Sequence, residues 1–363
     1  MSEVAKYLLV GSTEAYSGKS ATIIGVANQL QAVGVDVSYG KPLGTCLRAD
    51  RSSEIEEDVQ LMMESLNLPS NRLRGPLLCL DSETIERRLK GEDSINYHQS
   101  LKLYLQQPNS DLMLLEGPGS LFEGSLFDLS LKEVAQTADA PVLLVARYHS
   151  VLLVETLLEA KRQLGECLLG VIINDIPAEQ LLITESTVLP FLERQGIRVL
   201  GMIPKSSLLR SVSVQVLVNQ LQAEVLCCAD RLNLMVESLT IGAMNVNSAL
   251  EYFRSGRNMA VVTGGDRADI QMAALETSTH CLILTGHLPP QPMILSRAEE
   301  LEVPILSVDR DTLTTVEIID HAFGQVRLHE QIKVECIKHL MKEHFDIERL
   351  LSLLGLQPAV PTH

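Results

Sequence analysis

The chain has 363 residues, a formal charge of −16 and 46% hydrophobic residues. That length exceeds one average core and suits two domains, and the hydrophobic content excludes a wholly disordered chain. The acidic excess, the 30 scattered Lys and Arg residues and the lack of Trp argue against a nucleic-acid partner, which needs clustered basic side chains and stacking aromatics.

The N-terminus lacks the basic and apolar segments of a signal peptide, and no apolar run is long enough to cross a membrane. The seven cysteines are odd in number and several lie inside apolar runs, which predicts reduced, buried thiols. We therefore expect a cytoplasmic protein without a membrane partner.

Short apolar runs alternate with helical patterns from the N-terminus to about residue 203. Near-continuous apolar strands separated by helices are typical of a parallel sheet covered on both faces, so the pattern predicts an α/β fold. The carboxyl ends of such strands meet at one edge of the sheet, where ligands bind. The predicted strands are Tyr7–Val10, Val35–Tyr39, Leu112–Leu115, Val142–Val145, Leu169–Ile173 and Val199–Met202.

A Gly/Ser-rich loop, GSTEAYSGKS, occupies residues 11–20 between the first predicted strand and a helical pattern. Such a loop leaves backbone N–H groups at the positive end of a helix dipole, where a polyphosphate binds. Lys19 is predicted to contact the β- and γ-phosphates of ATP, and Ser20 to bind Mg²⁺. The alternative is a Gly-rich helix start that binds nothing. The other loop residues assigned to the nucleotide are Thr13, Glu14, Ser17 and Gly18.

Polar residues follow several of the other strands, where a ligand would meet them. Lys41 can face the phosphates or a carboxylate substrate, or be solvated. Asp58 lies in an acidic stretch at a helix start, which the helix dipole alone would favour. Glu116 can bind Mg²⁺ directly or through water, or cap the next segment. Asn174 can hydrogen-bond an adenine edge or form a turn.

A second α/β unit of about 110 residues begins near Ser211, a size that suits a small domain. Its Gly264-Gly265-Asp266-Arg267 segment joins a strand to a helix and predicts either an anion or nucleotide pocket, or a tight turn with Asp266 as N-cap. The predicted strands are Ala223–Leu226, Ala260–Thr263, Leu282–Thr285 and Ile305–Val308, and the helices are Val246–Arg254, Ile270–Glu276 and Met293–Leu301.

Residues 326–354 form an amphipathic helical pattern, with Ile332, Cys336, Ile337, Leu340 and Met341 at 3–4 spacing. This segment is predicted to pack on its own domain or to serve as a dimer helix, and we expect a homo-oligomer, most simply a dimer. The predicted division of the chain is a nucleotide-binding domain at 1–211, a regulatory domain at 212–325 and a helical tail at 326–363.

Five motifs of the first domain together resemble dethiobiotin synthetase, in which Thr also occupies the position of Thr13. They follow the family's order and similar spacing over residues 4 to about 205, and they read VGSTEAYSGKS, GKPLG, EEDVQLM, LLEGPGS and GVIINDI. The segment after Glu116 differs from the family's substrate-facing run. The resemblance implies a P-loop NTPase domain in which Lys19 and Ser20 bind phosphates and Mg²⁺, Asp58 and Glu116 complete the metal site, Lys41 faces substrate and Asn174 reads adenine.

Residues 212–325 resemble the DRTGG domain, best over AVVTGGDRADIQMAALE at 260–276. A dethiobiotin-synthetase-like domain followed by a DRTGG domain is similar to the N-terminal regulatory half of long bacterial phosphotransacetylases. Their catalytic domain follows the DRTGG domain, whereas the helical tail of this chain is too short to form one. The chain by itself is therefore not expected to be a phosphotransacetylase.

These observations predict an Mg-ATP-binding protein with a regulatory DRTGG domain that senses a nucleotide or a phosphorylated metabolite, with or without ATPase activity. Two alternatives stay open. One is an ATP-dependent ligase of the dethiobiotin synthetase type, which joins a carboxylate or carbamate to an amine. The other is a non-catalytic regulatory partner of an acetyl-phosphate enzyme.

Overall fold

The computed structural model describes residues 5–44, 56–106, 110–324 and 330–357. The chain forms two compact units, one of Met1–Lys205 with Leu328–His363 and one of Ser206–Arg327. The helical tail, which the sequence predicts as a separate segment, thus belongs to the first unit. Within the described residues, no helix combines the length and the apolar character needed to span a bilayer.

The first unit alternates strands and helices up to residue 204. Its strands are β1 (Tyr7–Ser12), β2 (Val37–Gly40), β3 (Leu43–Gly44), β4 (Leu73–Arg74), β5 (Leu78–Cys79), β6 (Leu112–Glu116), β7 (Val142–Arg147), β8 (Leu168–Ile176) and β9 (Val199–Pro204). Its helices are α1 (Lys19–Ala32), α2 (Glu57–Leu66), α3 (Ser82–Leu89), α4 (Tyr97–Tyr104), α5 (Leu131–Ala138), α6 (Leu153–Leu164), α7 (Leu181–Ile183) and α8 (Leu189–Arg194).

Seven of these strands form one parallel sheet in the order β4-β2-β6-β1-β7-β8-β9, which confirms the predicted fold class. The strands are almost fully buried apolar runs because helices cover both faces of the sheet. Val10 pairs with Glu116, and Arg147 pairs with Asn174. The carboxyl ends of β2, β6, β1, β7 and β8 therefore stand side by side at one edge of the sheet.

The second unit has a five-stranded sheet in the order β11-β16-β15-β14-β13, parallel except for β11. The predictions miss its edge strand, β13, because this short segment is half-exposed and carries polar residues. The elements of the unit are α9 (Ser207–Arg210), β10 (Val212–Ser213), α10 (Val214–Leu221), β11 (Glu224–Cys227), β12 (Met235–Val236), β13 (Ser238–Ile241), α11 (Val246–Ser255), β14 (Met259–Gly264), α12 (Ala268–Leu275), β15 (Thr279–Thr285), α13 (Pro292–Glu300), β16 (Ile305–Val308) and α14 (Thr312–Gly324).

Two further helices, α15 (Gln331–His344) and α16 (Ile347–Leu354), complete the first unit by packing on α1. Gly25 of α1 makes this possible, because a Cβ there would lie 2.2 Å from Met341 Cγ. Gln29 donates a hydrogen bond of 2.9 Å to the carbonyl of Met341. Arg349 forms two bonds to the Glu193 carboxylate, of 2.8 and 2.9 Å. The C-terminal helices therefore support the helix that follows the Gly/Ser-rich loop.

The cysteines depart from the prediction at one position. Cys79 is disulfide-bonded, so the expectation of a reduced thiol is wrong there. Strand pairing decides which cysteines can meet, and composition carries no information about it. Cys167, Cys227, Cys228, Cys281 and Cys336 are not disulfide-bonded, but only Cys227 and Cys281 are also buried as predicted, and Cys46 lies outside the described residues.

Candidate functional site

The Gly/Ser-rich loop leaves the sheet at the end of β1 and enters α1. Thr13 still belongs to the sheet, since its N–H donates to the Val145 carbonyl at 3.1 Å. Gly18 then turns the chain with a left-handed φ of 101°. In the described part of the chain, no N–H group of residues 14–21 donates a hydrogen bond; the next donor is Thr22, which bonds Gly18 O at 2.9 Å. The N–H groups of 14–21 are therefore available to a ligand at the positive end of α1.

Asn174 at the end of β8 holds this loop. Its Nδ2 donates to the Ser17 carbonyl at 2.8 Å, and a Cβ at Gly18 would lie 2.4 Å from the same atom. Glycine is therefore required at position 18 both by its φ and by this close approach. The Asn174 amide keeps one N–H and its carbonyl oxygen for other partners, so its predicted contact with adenine stays a prediction.

Lys19 lies beneath the loop without a carboxylate partner among the described residues. Its Nζ donates to Ser12 Oγ at 3.1 Å, and Ser12 Oγ donates to the Gly119 carbonyl at 3.1 Å. Burial lowers the pKa of Lys19, and the charges of Glu116 and Glu123 only partly oppose this effect. A phosphate beside Nζ would supply the missing counter-charge.

Glu116 ends the central strand β6 and is 4% exposed. Its Oε1 accepts from Ser20 Oγ at 3.1 Å, and its Oε2 accepts from the Tyr39 hydroxyl at 2.7 Å. Burial, reinforced by the Glu116 charge, raises the pKa of Tyr39 well above its usual value. A carboxylate and a hydroxyl oxygen thus meet at the start of α1, and oxygen ligands of this kind suit Mg²⁺.

Lys41 and Asp58, which the resemblance assigns to the substrate and to the metal, contact each other through Lys41 Nζ. Lys41 Nζ also bonds Glu56 Oε1 at 2.6 Å. Burial lowers the pKa of Lys41, but the charges of Glu116, Asp58 and Glu56 outweigh it and raise the pKa above its usual value. Burial raises the pKa of Glu56, against the attraction of Lys41.

Ser20 and Glu116 are therefore the predicted metal ligands that the structure joins directly. Asp58 instead bonds Lys41, and Lys41, Glu56 and Asp58 together form the Lys41 cluster, whose lysine interacts electrostatically with Glu116. Among the described side chains, no three His, Cys, Asp or Glu residues are grouped so that they could hold a metal ion without further ligands. Phosphate oxygens and water would have to complete the coordination of Mg²⁺, as they commonly do.

Glu14 points to the other side of the loop, where its Oε1 lies 2.6 Å from His149 Nε2. Arg147 at the end of β7 bonds Asp175 at 3.1 Å. A cavity of about 410 Å³ opens here, lined by Thr13, Glu14, Ala146, Arg147, His149, Ser150, Leu152, Leu153 and Thr156. Thr13 and Glu14 of the Gly/Ser-rich loop thus line this cavity.

The predictions miss Ser12, Tyr39 and Glu56, each of which contacts a predicted site residue. A tyrosine inside a predicted buried strand is a usable signal, because its hydroxyl needs a partner there. The identity of that partner depends on the pairing of β2 with β6, which the sequence does not contain. Ser12 and Glu56 carry no comparable signal.

In the second unit, the Gly264-Gly265-Asp266-Arg267 segment turns from β14 into α12. Arg267, not Asp266, stands at the N-cap position, and it makes no capping hydrogen bond with its side chain. The turn borders a cavity of about 300 Å³ lined by Gly242, Ala243, Val262, Thr263, Gly264, Asp266, Arg267 and Thr312.

Two family models match the chain. Residues 6–213 match an AAA domain, and residues 216–322 match the DRTGG domain. These ranges correspond to the order of domains that the motifs predict. The AAA-domain match covers the Gly/Ser-rich loop, the Lys41 cluster, Glu116 and Asn174.

Curated relatives include the phosphate acetyltransferases of Synechocystis sp. and of Nitratidesulfovibrio vulgaris. The first is 25% identical over an alignment 366 residues long, and this alignment covers 96% of this chain and 51% of that protein. The second is 24% identical over 369 residues, with the same coverage of 96% and 51%. The chain therefore spans about half the length of the curated relatives it matches.

Among solved structures, the cell division protein MinD of Aquifex aeolicus is 19% identical, with a TM-score of 0.33. The match covers 56% of this chain and 83% of that one. On the strength of the two family models, the chain belongs to the AAA-domain family, with the architecture of a P-loop domain followed by a DRTGG domain.

Proposed function

We propose that the first unit binds Mg-ATP at the carboxyl edge of its sheet. The observation that carries the proposal is the row of N–H groups at residues 14–21, which have no acceptor among the described residues, together with the half-buried Lys19, whose Nζ bonds only the Ser12 hydroxyl there. Donors aimed at one place beside a desolvated cation form an anion site, and a triphosphate supplies the oxygens and the charge that they lack.

Each side chain at this edge then has a defined task. Lys19 contacts the β- and γ-phosphates, while Ser20 and Glu116 hold Mg²⁺ through oxygen atoms that already lie 3.1 Å apart. When bound, Mg²⁺ neutralises charge on the phosphate oxygens. Tyr39 keeps the Glu116 carboxylate in place. Asn174 fixes the loop and offers its remaining amide atoms to adenine.

The Lys41 cluster is proposed to face the terminal phosphate or an acceptor group. Glu56 and Asp58 fix Lys41 Nζ in one position, and their charges keep it protonated. Asp58 is proposed to complete the metal site through water. A fixed cation beside the transferred phosphoryl group stabilises the charge that develops during hydrolysis or ligation.

The second unit is proposed to regulate the first through a ligand at Gly264, Gly265, Asp266 and Arg267. Because the chain spans about half of the phosphate acetyltransferases that it matches, we propose a sensor or ATPase related to their regulatory region, acting in the cytoplasm as a dimer. Acetyl transfer by this chain alone is not part of the proposal. We also propose that the nucleotide-binding domain ends at residue 211 and the regulatory domain at residue 325.

Calorimetric titration of the full chain with ATP and Mg²⁺ tests the nucleotide site. The Lys19→Ala variant loses one charge-assisted contact, worth about 1.5–3 kcal/mol, so the affinity should fall roughly 10- to 150-fold. Lys90→Ala is the matched control, because the Lys90 side chain is 60% exposed and, among the described residues, pairs with Glu86 alone. Unchanged ATP affinity in a folded Lys19→Ala protein would remove the loop from the proposal.

A further inference from the structure

We propose that the cavity of the second unit binds a phosphate ester that carries free hydroxyl groups, as a sugar phosphate or the ribose phosphate of a nucleotide does. This inference rests on the regulatory role proposed above. It adds the chemical class of the ligand and the protein groups that bind its phosphate and its hydroxyls. It follows from the cation, the carboxylate and the hydroxyls that line the cavity.

Arg267 provides the site for the anion. Its Nη2 donates to the Met244 carbonyl at 2.9 Å, and its Nε donates to Asp269 at 3.2 Å, so the guanidinium is held in one orientation. Nη1 makes no hydrogen bond to any described residue and keeps both of its N–H groups. A guanidinium edge fixed in this way suits a phosphate oxygen pair.

The two helix starts beside the cavity already carry carboxylates. Asp269, in the first turn of α12, has a lowered pKa because it accepts hydrogen bonds from the Arg267 side chain and from the backbone N–H of Ile270. Asp311 Oδ1 accepts from the Thr314 N–H at 3.0 Å in the first turn of α14. The Arg267 guanidinium, rather than a helix end, is therefore the group that places the phosphate in the cavity.

Asp266 makes an all-anionic ligand unsuitable and a hydroxylated one suitable. Its carboxylate folds over Gly264, where a Cβ would lie 2.4 Å from Oδ1, and it is exposed at the cavity wall. A carboxylate beside an arginine repels a second phosphate but accepts hydrogen bonds from vicinal hydroxyls. Thr312, whose Oγ1 lies 3.0 Å from Thr285 Oγ1, adds a further hydroxyl to the cavity lining.

The turn that carries these groups is fixed from below. Gln271 is fully buried, and its Nε2 donates to the carbonyls of Gly264 and Gly265 at 2.9 and 3.1 Å. The volume of about 300 Å³ lies at the small end of ligand pockets, which favours one pentose phosphate over a dinucleotide. Gln271 is thus a positioning residue for Asp266 and Arg267.

The test is calorimetric titration of the full chain with three probes, namely AMP, ribose 5-phosphate and inorganic phosphate. Binding of the two esters should persist in Lys19→Ala, which removes the contact proposed for the other nucleotide site. Arg267→Ala should weaken both esters at least tenfold. Asp266→Asn should weaken both esters several-fold and leave inorganic phosphate unchanged or tighter.

The matched control is Arg297→Ala, because Arg297 is an equally exposed arginine of the same unit that pairs with Glu276 and Glu300 outside the cavity. Tighter binding of AMP than of ribose 5-phosphate identifies a nucleotide, and equal binding identifies a sugar phosphate. The inference fails if neither ester binds, if Arg267→Ala and Arg297→Ala behave alike, or if ester binding disappears in Lys19→Ala. Each of these results overturns the second site and leaves the proposed ATP site intact, because titration of Lys19→Ala with ATP tests that site separately.

Discussion

Both units present polar side chains at the carboxyl edge of parallel strands, but they bury them to different degrees. In the first unit, Tyr39, Lys41 and Glu116 are at most 4% exposed and are bonded to neighbouring polar groups. In the second unit, Asp266 is exposed and the Arg267 side chain is 34% exposed. The first edge is a polar network formed before any ligand arrives, and the second is an open turn.

This difference has a thermodynamic consequence. A buried polar group that loses its partner costs more than an exposed one, because water cannot replace the lost hydrogen bond. Substitutions in the first network should therefore lower the stability of folding as well as ligand binding. Substitutions at the second turn should affect ligand binding alone.

Lys41→Met should have the largest effect on stability. It leaves Glu56, whose side chain is 12% exposed, without its cation. Because Asp58 is partly exposed, we expect a cost of about 3 kcal/mol, the lower end of the range for breaking a buried pair. Chemical denaturation at about pH 7 measures the loss. A variant as stable as the unmodified chain would contradict the claim that the first polar network stabilises the fold.

The same variant should respond to pH in a defined direction. Burial already raises the pKa of Glu56 above its ordinary value of 4.5, and removal of Lys41 takes away the attraction that opposes this shift. At pH values above 4.5, the folded variant then binds more protons than its unfolded chain. Its free energy of unfolding therefore falls as the pH rises. The loss caused by Lys41→Met should be smaller at about pH 5 than at about pH 7.

Tyr39→Phe should have an intermediate effect. It removes the hydroxyl that donates to Glu116 at 2.7 Å and leaves a buried carboxylate oxygen with one donor fewer, at a cost of about 1–3 kcal/mol. Tyr16→Phe is the matched control, because the Tyr16 side chain is 68% exposed and should unfold like the unmodified chain. Equal denaturation midpoints for the two variants would contradict a preformed network.

Arg267→Ala should have the smallest effect on stability, less than about 1 kcal/mol, because its pairing with Asp269 is a surface ion pair. Thermal unfolding without ligand checks this expectation. A loss as large as that of Tyr39→Phe would show that Arg267 supports the fold, and the contrast between the two edges would then disappear.

The sequence predicts the elements of the first edge better than their contacts. Lys19, Ser20, Glu116 and Asn174 stand next to predicted strands, and the parallel fold alone brings such positions to one edge. The link between Lys41 and Asp58 is not predictable in this way, since a helix start near a strand end can place its carboxylate toward a metal or toward a neighbouring lysine. Only the packed side chains decide between these outcomes.

The C-terminal helices and β13 illustrate two other limits. The apolar pattern at 332–341 predicts a helix, yet amphipathicity does not say which surface covers it, and the helix returns to α1 of the first unit. Ile332 is exposed in the structure and Lys333 is buried, paired with Glu330. β13 is recognisable only through its pairing with β14.

The most direct test of the central claim is ATP binding to the full chain with Mg²⁺ and with a chelator, for the unmodified protein and for Glu116→Gln. The account predicts that Mg²⁺ tightens ATP binding to the unmodified protein and that this gain is largely lost in the variant, because Glu116 acts through the ion. Metal-free ATP should bind both proteins alike. An equal loss with and without Mg²⁺, or no effect of Mg²⁺ on the unmodified protein, would contradict a magnesium-nucleotide site at this edge.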